Sequence, residues 1–351
     1  MSKIKSATLI TLRMGHHANA SGYGRLAQEL QDYADIIELR QPETLLQKSL
    51  TRMLRPLVKQ ADATWYNRAS LLVELRAAKR WLTSTNRIFH FLYGENTYCH
   101  MGSVKQRMRK NNALLATYHT PLWRMHELVR NTKPLADLDG VIAMSTTQLE
   151  YFDKVLGHGR TFFIPHGVDT NYFKPAEQAQ PEAPPQFITV GHHLRDFEVL
   201  AEVATKVGRE FPQVKFLVLA WPDRVGPVKG LANVECKTGV TDAELLEYYQ
   251  NATALLLPLR DATANNSLLE GMACGLPVLS TDLQGVRDYT SADNRVLHAS
   301  GDAGPLVEAV MEMCSGTLDT TAMRKASRAK ALELDWSVIA DNTRHVYQQF
   351  A

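Results

Sequence analysis

Residues 262–282 read ATANNSLLEGMACGLPVLSTD, and two features of that stretch could do chemistry. Asn265, Asn266 and Ser267 open a predicted helix. The first backbone N–H groups of a helix have no partner within it and sit at the positive end of its dipole, so a phosphate is favoured there. Glu270 follows about one turn later, and a carboxylate in that place can accept from both hydroxyls of a sugar diol. The same letters admit a purely local reading. Ser267-x-x-Glu270 fits a capping box, with Gly275 just past the helix end and Pro277 enforcing the stop.

Other candidate motifs carry less. The stretch GYGRLA, residues 22–27, fits G-x-G-x-x-A of dinucleotide binders, with Glu38 further on. That fingerprint should follow its strand directly, and GHHANAS intervenes, so Gly22 and Gly24 are read as positions where backbone approaches a ligand or acceptor at a helix start. Asp137-Leu138-Asp139 precedes a strand instead of following one and is expected to be a solvated loop. There is no H-E-x-x-H, no Cys/His cluster and no GxxxxGK[ST], so metal hydrolysis and P-loop chemistry have no support.

The elements that must position these residues alternate along the chain. ATLITLR, DIIELR, RIFHFLYG, ALLATYH, GVIAMS and RTFFIPHG read as buried parallel strands with amphipathic helices between most of them. KPAEQAQPEAPPQ, residues 174–186, holds four of the fifteen prolines and reads as a linker. The pattern then restarts with FITVG, a helix from Arg195 to Glu210, KFLVLA, NVECKTG, the helix DAELLEYYQNA, ALLLPL, the helix of the opening stretch, PVLSTD and RVLHAS. Helices at 302–313 and 320–350 close the chain. This predicts two α/β units with doubly wound, mostly parallel sheets. Ligands of such sheets bind beyond the carboxyl ends of the strands, and two facing units put that site in a cleft. The expected division is a first domain over 1–173, the linker 174–186, a second domain over 187–330, and a helix within 331–351 crossing back to the first.

Bulk composition agrees with a soluble protein. The chain has 351 residues, 45% hydrophobic and 22% charged, enough for two domains of ordinary size. Its start lacks a signal pattern, and no run nears 18 apolar residues. Cys99, Cys236, Cys274 and Cys314 are scattered without C-x-x-C spacing, as in reduced, mostly buried thiols of a cytoplasmic protein. The net charge of +2 conceals an asymmetry: residues 48–110 hold thirteen Lys/Arg against Asp62, Glu74 and Glu95, a local excess of +10. SLTRMLRPLVKQ and VELRAAKRWL mix that charge with apolar residues at helical spacing. Such a face is either merely solvated or suited to an anionic membrane or acceptor.

IPHGVDTNYFKP (164–175), VTDAELLEYYQNATALLLPL (240–259) and LLEGMACGLPVLSTDLQGV (268–286) together resemble the GT-B glycosyltransferases, closest to glycosyltransferase family 4 (glycosyl transferases group 1). All three stand in the family's order, and the likeness is strongest over residues 160–290. The resemblance implies two Rossmann-like doubly wound domains facing each other across a cleft. It implies a donor diphosphate held at Asn265, Asn266, Ser267 and Leu268, and a nucleotide ribose held by Glu270. Arg195 falls in the place of the family's lysine beside the diphosphate, with His192 or His193 near the place of its arginine. His119, in ATYHTPLW, corresponds to the histidine near the donor sugar. Gly22, Gly24, Glu95 and His166 are placed on the acceptor or sugar side. The family's paired glutamates, eight positions apart, would require Glu at 262; the chain has Ala262, with Asp261 beside it. LAWPDR replaces glycines usual after the family's corresponding strand.

The expected activity is therefore transfer of a hexose-type sugar from a nucleotide-diphosphate donor, UDP favoured over GDP, to a glycan, lipid-linked or small-molecule acceptor. Arg195 and His119 are the expected catalytic residues. Stabilising the departing diphosphate matters more than a nucleophilic side chain, so a retaining reaction without metal or other cofactor is expected. An inverting reaction would need a base from the first domain, with His119 and Glu95 as candidates. A nucleotide-sugar epimerase of this fold and a non-catalytic sugar-nucleotide-binding subunit are the alternatives. Expected partners are the donor, the acceptor and an anionic membrane met through residues 48–110, with no nucleic acid. The expected place is the cytoplasm, peripheral at the inner face of the membrane.

Overall fold

The structure, a computed structural model, describes residues 7–12, 22–42, 44–177 and 184–350. Most of the loop before Gly22 and the middle of the proline-rich linker fall outside them. The chain forms two α/β units: residues 7–12, 22–166 and 336–350 make the first, and 167–177 with 184–335 the second.

The first unit is built on β1 (Ala7–Thr11), β2 (Ala34–Glu38), β3 (Ile88–Phe91), β4 (Ala113–Tyr118), β5 (Gly140–Ala143) and β6 (Thr161–Phe163). They pair in parallel in the order β2-β1-β3-β4-β5-β6. Each predicted strand of this half is present. β2 differs from expectation in being an edge strand, which leaves Ile36 exposed. Helix Arg68–Leu82 starts where the Asn67 side chain accepts from the amides of Ala69 and Ser70. It buries Val73, Ala77 and Trp81 at helical spacing against Phe89, Phe91 and Leu114. Burial of each large side chain there contributes about 1.5–3 kcal/mol.

The second sheet comprises β7 (Gln186–Val190), β8 (Lys215–Leu219), β9 (Val234–Lys237), β10 (Ala254–Leu257), β11 (Val278–Thr281) and β12 (Arg295–His298). All are parallel, in the order β12-β11-β10-β7-β8-β9. Neighbouring residues along a strand serve opposite faces. Phe187, Phe216 and Leu256 pack with Val203, Val207 and Leu306 on one side. Ile188, Leu217 and Leu255 pack with Leu269 and Met272 on the other. A sheet covered on both faces explains the continuous apolar runs.

Three boundaries depart from expectation. The helix predicted from Arg195 runs from Phe197 to Glu210, with Asp196 as its cap, so Arg195 lies in the turn before it. Residues 167–173 belong to the second unit: Val168 bridges Asp335 in parallel and Phe173 lies in that unit's core. The long final helix is two, Thr320–Leu332 in the second unit and Trp336–Gln348 in the first. The carboxylate of Asp335 separates them by accepting from the amide and hydroxyl of Thr170 at 3.2 and 2.6 Å. Within the first unit, the last helix is tied to the sheet by Tyr347, whose hydroxyl lies 2.6 Å from Nδ1 of buried His90.

Asp137-Leu138-Asp139 is also more than a solvated loop. Asp139 accepts from the Leu114 amide at 2.8 Å and from Lys105 at 2.6 Å, fastening the entry to β5 against β4. Among the described residues no helix is long and apolar enough to cross a membrane.

Candidate functional site

In the second unit the predicted donor residues gather at the carboxyl ends of β7 and β10. The stretch that prompted the capping-box reading folds differently. Helix Asn266–Ala273 is capped by Asn265, whose side chain accepts from the Leu268 amide at 3.4 Å. Ser267 and Glu270 do not form the box. Ser267 Oγ donates to the carbonyl of Val190 at 3.1 Å, and Glu270 is buried and accepts from the Tyr249 hydroxyl at 2.9 Å. The Leu268 amide is therefore taken by the cap, while those of Asn266 and Ser267 have no partner among the described residues. The predicted stop holds: Cys274 ends the helix and Gly275 follows with φ of +79°, a left-handed turn that favours glycine.

Arg195 is folded across this helix start. Its Nη2 donates to Ser267 Oγ at 3.1 Å, to Asn265 Oδ1 at 3.3 Å and to the Val190 carbonyl at 2.7 Å, while Nε reaches the same carbonyl at 3.0 Å. The turn holding it is tight: Gly191 has φ of +82° and Leu194, with a side chain, φ of +56°. A non-glycine residue there stores strain of about 1–3 kcal/mol. Backbone bonds from Asp196 to Pro258 and from Arg260 to Leu194, each 2.9 Å, hold the turn onto the end of β10. Burial pushes the guanidinium down to about 10, against the pull of Tyr249 and Glu270, so it stays cationic at neutral pH. Burial, then the charge of Glu270, holds the Tyr249 phenol well above its usual range, and so protonated.

Beside this helix start lies a cavity of about 290 Å³, lined by His192, Leu194, Arg195, Phe197, Arg224, Pro227 and Arg260. His192 does not extend freely as an arginine would; its ring stacks on Trp221, with centroids 4.6 Å apart and planes at 26°. Ala262 is buried, its amide bonded to Asp261 Oδ1 at 2.7 Å. A Cβ on Gly285 would overlap the Ala262 carbonyl oxygen, so this loop is packed too closely to shift Asp261 into the place of the missing glutamate.

The residues predicted for the acceptor or sugar side assemble in the first unit, at the carboxyl ends of its strands, around Tyr23. This residue sits between Gly22 (φ +87°) and Gly24, which opens helix Gly24–Glu29. The Tyr23 ring meets His119 edge-on at 4.8 Å, His166 at 5.4 Å and Trp336 at 5.8 Å. Tyr93 stacks on His119 at 4.7 Å. Glu95, buried in the turn after β3, accepts from the His119 amide at 3.2 Å through Oε1, which is also 3.4 Å from His119 Nδ1. Its Oε2 is buried with no partner among the described residues. Behind this group His90 Nε2 lies 2.7 Å from the Thr117 hydroxyl. Burial, helped by repulsion from His119, lowers the His90 imidazole to about 3, so it is neutral.

Sequence reasoning missed Tyr23, Tyr93, His90, Tyr249 and Trp336. Tyr23 had a visible signal in its two flanking glycines. Tyr249 lay within a stretch quoted as a helix and for its family likeness but given no role, and the others needed the tertiary fold to be found.

Residues 184–315 match the family model described as Glycosyl transferases group 1. Over 232 residues the chain is 30% identical to a phosphatidylinositol N-acetylglucosaminyltransferase subunit of Arabidopsis thaliana, an alignment covering 61% of this chain and 50% of that one. The chain thus spans about half the length of that curated relative. Among solved structures it is similar to sucrose-phosphate synthase of Thermosynechococcus elongatus, with a TM-score of 0.69, 19% identity and 98% of each chain covered. Anabaena HepE in complex with UDP gives a TM-score of 0.71 at 14% identity, covering 98% of this chain and 100% of that one. The fold is GT-B, and the stretch that matches the group 1 model, residues 184–315, lies within its second unit.

Proposed function

We propose that the protein transfers a hexose-type sugar from a nucleotide-diphosphate sugar to a hydroxyl of a glycan, lipid-linked or small-molecule acceptor. The observation that carries this reading is the start of helix Asn266–Ala273, where two unpartnered amides, the Arg195 guanidinium and the buried Glu270 carboxylate meet. The amides and Arg195 would hold the diphosphate and stabilise the charge that develops as the sugar–phosphate bond breaks. Glu270 would accept from the ribose hydroxyls, with Tyr249 keeping its carboxylate in place.

UDP is favoured because HepE has been solved with UDP and with UDP-glucose. Retention without a metal is the proposed course, the leaving phosphate taking the acceptor proton. His119 and Glu95 would face the sugar or acceptor from the first unit. A lipid-linked acceptor would be met at a membrane surface, and the excess charge of residues 48–110 suits an anionic one. The proposed location is the cytoplasm, peripheral at the inner face of the membrane.

A second reading rests on Ala262. With no carboxylate in that place, the chain could hold a sugar nucleotide on behalf of a partner enzyme, and the Arabidopsis relative is itself one subunit of its enzyme by name. Calorimetry with UDP, GDP and ADP tests the donor site. Binding of one nucleotide that weakens in Glu270→Ala supports it, and binding of none overturns it. Sugar transfer in the absence of any partner chain decides against the second reading.

A further inference from the structure

Helix Leu45–Met53 is turned the wrong way round for a soluble protein. Its Thr51 is buried and its Leu50 half-buried, whereas Leu45 is 86% exposed, Leu46 78% and Met53 70%. With Ser49 and Arg52 they share one outward stripe at helical spacing, 45/46–49–52/53. A single exposed leucine needs no explanation, but three large apolar residues on one outward face of a nine-residue helix do.

The charge around this stripe has one sign. From Thr44 through helix Arg55–Gln60 to Ala61 there is no Asp or Glu, and Lys48, Arg52, Arg55 and Lys59 are all exposed. None of the four is ion-paired among the described residues. Several exposed cations elsewhere are paired, as in Lys154–Glu150, Lys206–Glu202 and Arg287–Asp282. Along the chain this acid-free segment is bounded by Glu43 and Asp62, and Asp62 is paired with Arg130 at 2.7 Å.

We propose that the surface made by helices Leu45–Met53 and Arg55–Gln60 docks the protein on an anionic lipid bilayer, with Leu45, Leu46 and Met53 entering the acyl boundary and the four cations meeting lipid phosphates. An outward apolar stripe with flanking Lys and Arg is the pattern of a helix lying in a membrane interface, where long basic side chains reach back to the headgroups. A nucleic acid would use the cations and leave the leucines in water. This surface also connects to the first unit's polar centre. His100 Nε2 donates to the Leu57 carbonyl at 3.1 Å, and buried Glu74 accepts the amides of Cys99, His100 and Met101 at 2.6–2.8 Å. That clamp fixes the segment that begins with Glu95, so the docking helices and the Glu95 carboxylate are carried on one framework. The proposal stands apart from the donor reading and needs no nucleotide to be tested.

The test is co-sedimentation of the full chain with phosphatidylcholine vesicles, with and without phosphatidylglycerol, at low and high salt. Wild type should partition onto the anionic vesicles only. Replacing Lys48, Arg52, Arg55 and Lys59 together by Gln should lower that partitioning by more than about a hundred-fold, since each cation near an anionic surface is worth about a factor of five. Leu45→Ser, Leu46→Ser and Met53→Ser together should keep weak binding at low salt and lose the salt-resistant part. These positions are exposed, and an unchanged thermal melt confirms that each variant is folded. Equal binding to neutral vesicles, no binding at low salt, or wild-type binding by both variants would overturn the proposal. So would a dimer that the serine variant dissociates, or tight binding to duplex RNA without vesicle binding.

Discussion

Tyr249 donates its hydroxyl to Glu270 across 2.9 Å, from the helix preceding β10 to the helix following it. The bond makes Glu270 a held carboxylate rather than a helix cap, and it predicts two separable effects. Glu270→Gln removes a charged acceptor, so nucleotide affinity should fall about ten-fold or more, for a loss of ~1.5–3 kcal/mol. Tyr249→Phe leaves a buried carboxylate one partner short and should lower folding stability by ~1–3 kcal/mol. Calorimetry reads the first and urea unfolding the second. Wild-type affinity in a folded Glu270→Gln protein would remove Glu270 from the ribose site.

The two polar residues at that helix start should also separate. Asn265→Ala takes away the cap and should cost ~1 kcal/mol of stability. Ser267→Ala leaves the cap and removes the hydroxyl that holds Arg195 at 3.1 Å, so it should weaken pyrophosphate binding more than it lowers Tm. If the capping box were the true arrangement, the order of the Tm losses would be reversed.

His90 gives a pH dependence with a definite sign. Its folded value is lowered from an ordinary 6.5 to about 3. Below 6.5 the unfolded chain binds a proton that the folded protein refuses, so its contribution to stability is full above that pH and is lost as pH falls towards 3. The slope approaches ~1.4 kcal/mol per pH unit for one proton. Urea unfolding between pH 7 and pH 4.5 should show His90→Asn with a shallower acid loss than wild type. Parallel curves for the two would contradict it.

His119 and Glu95 should affect turnover without affecting the nucleotide. His119→Ala in the full chain is expected to lower kcat by about ten-fold through the lost contact to sugar or acceptor, with UDP affinity unchanged. Glu95→Gln keeps the shape and removes the charge beside His119 Nδ1, so it should lower kcat in the same way, again with UDP affinity unchanged. An unaltered kcat would leave Glu95 a purely structural group.

Twelve strands were legible in the sequence because apolar runs bounded by turn residues are written locally. The stop at Gly275 was legible for the same reason. Ser267 was misread because its hydroxyl turns to the Val190 carbonyl, 77 residues away, where local spacing has no reach. The break at Asp335 was missed likewise, since its partner Thr170 lies 165 residues upstream. The site residues named from the family pattern do converge within each unit. The tyrosines joining them were not legible, because an aromatic that packs against two histidines looks like any core residue in one dimension.

The parallel bridge between Val168 and Asp335, with the Val168 amide 2.9 Å from the Leu334 carbonyl, places both ends of the second unit side by side. Topologically, residues 167–335 are an insert in a host whose sequence resumes at Trp336. Excision at that seam should release a self-contained folding unit. A stop codon at the same seam would strip the host of Tyr347 and leave the imidazole of His90 bare on one nitrogen. Shortening this chain from its carboxyl end would therefore damage the half that its first residues begin.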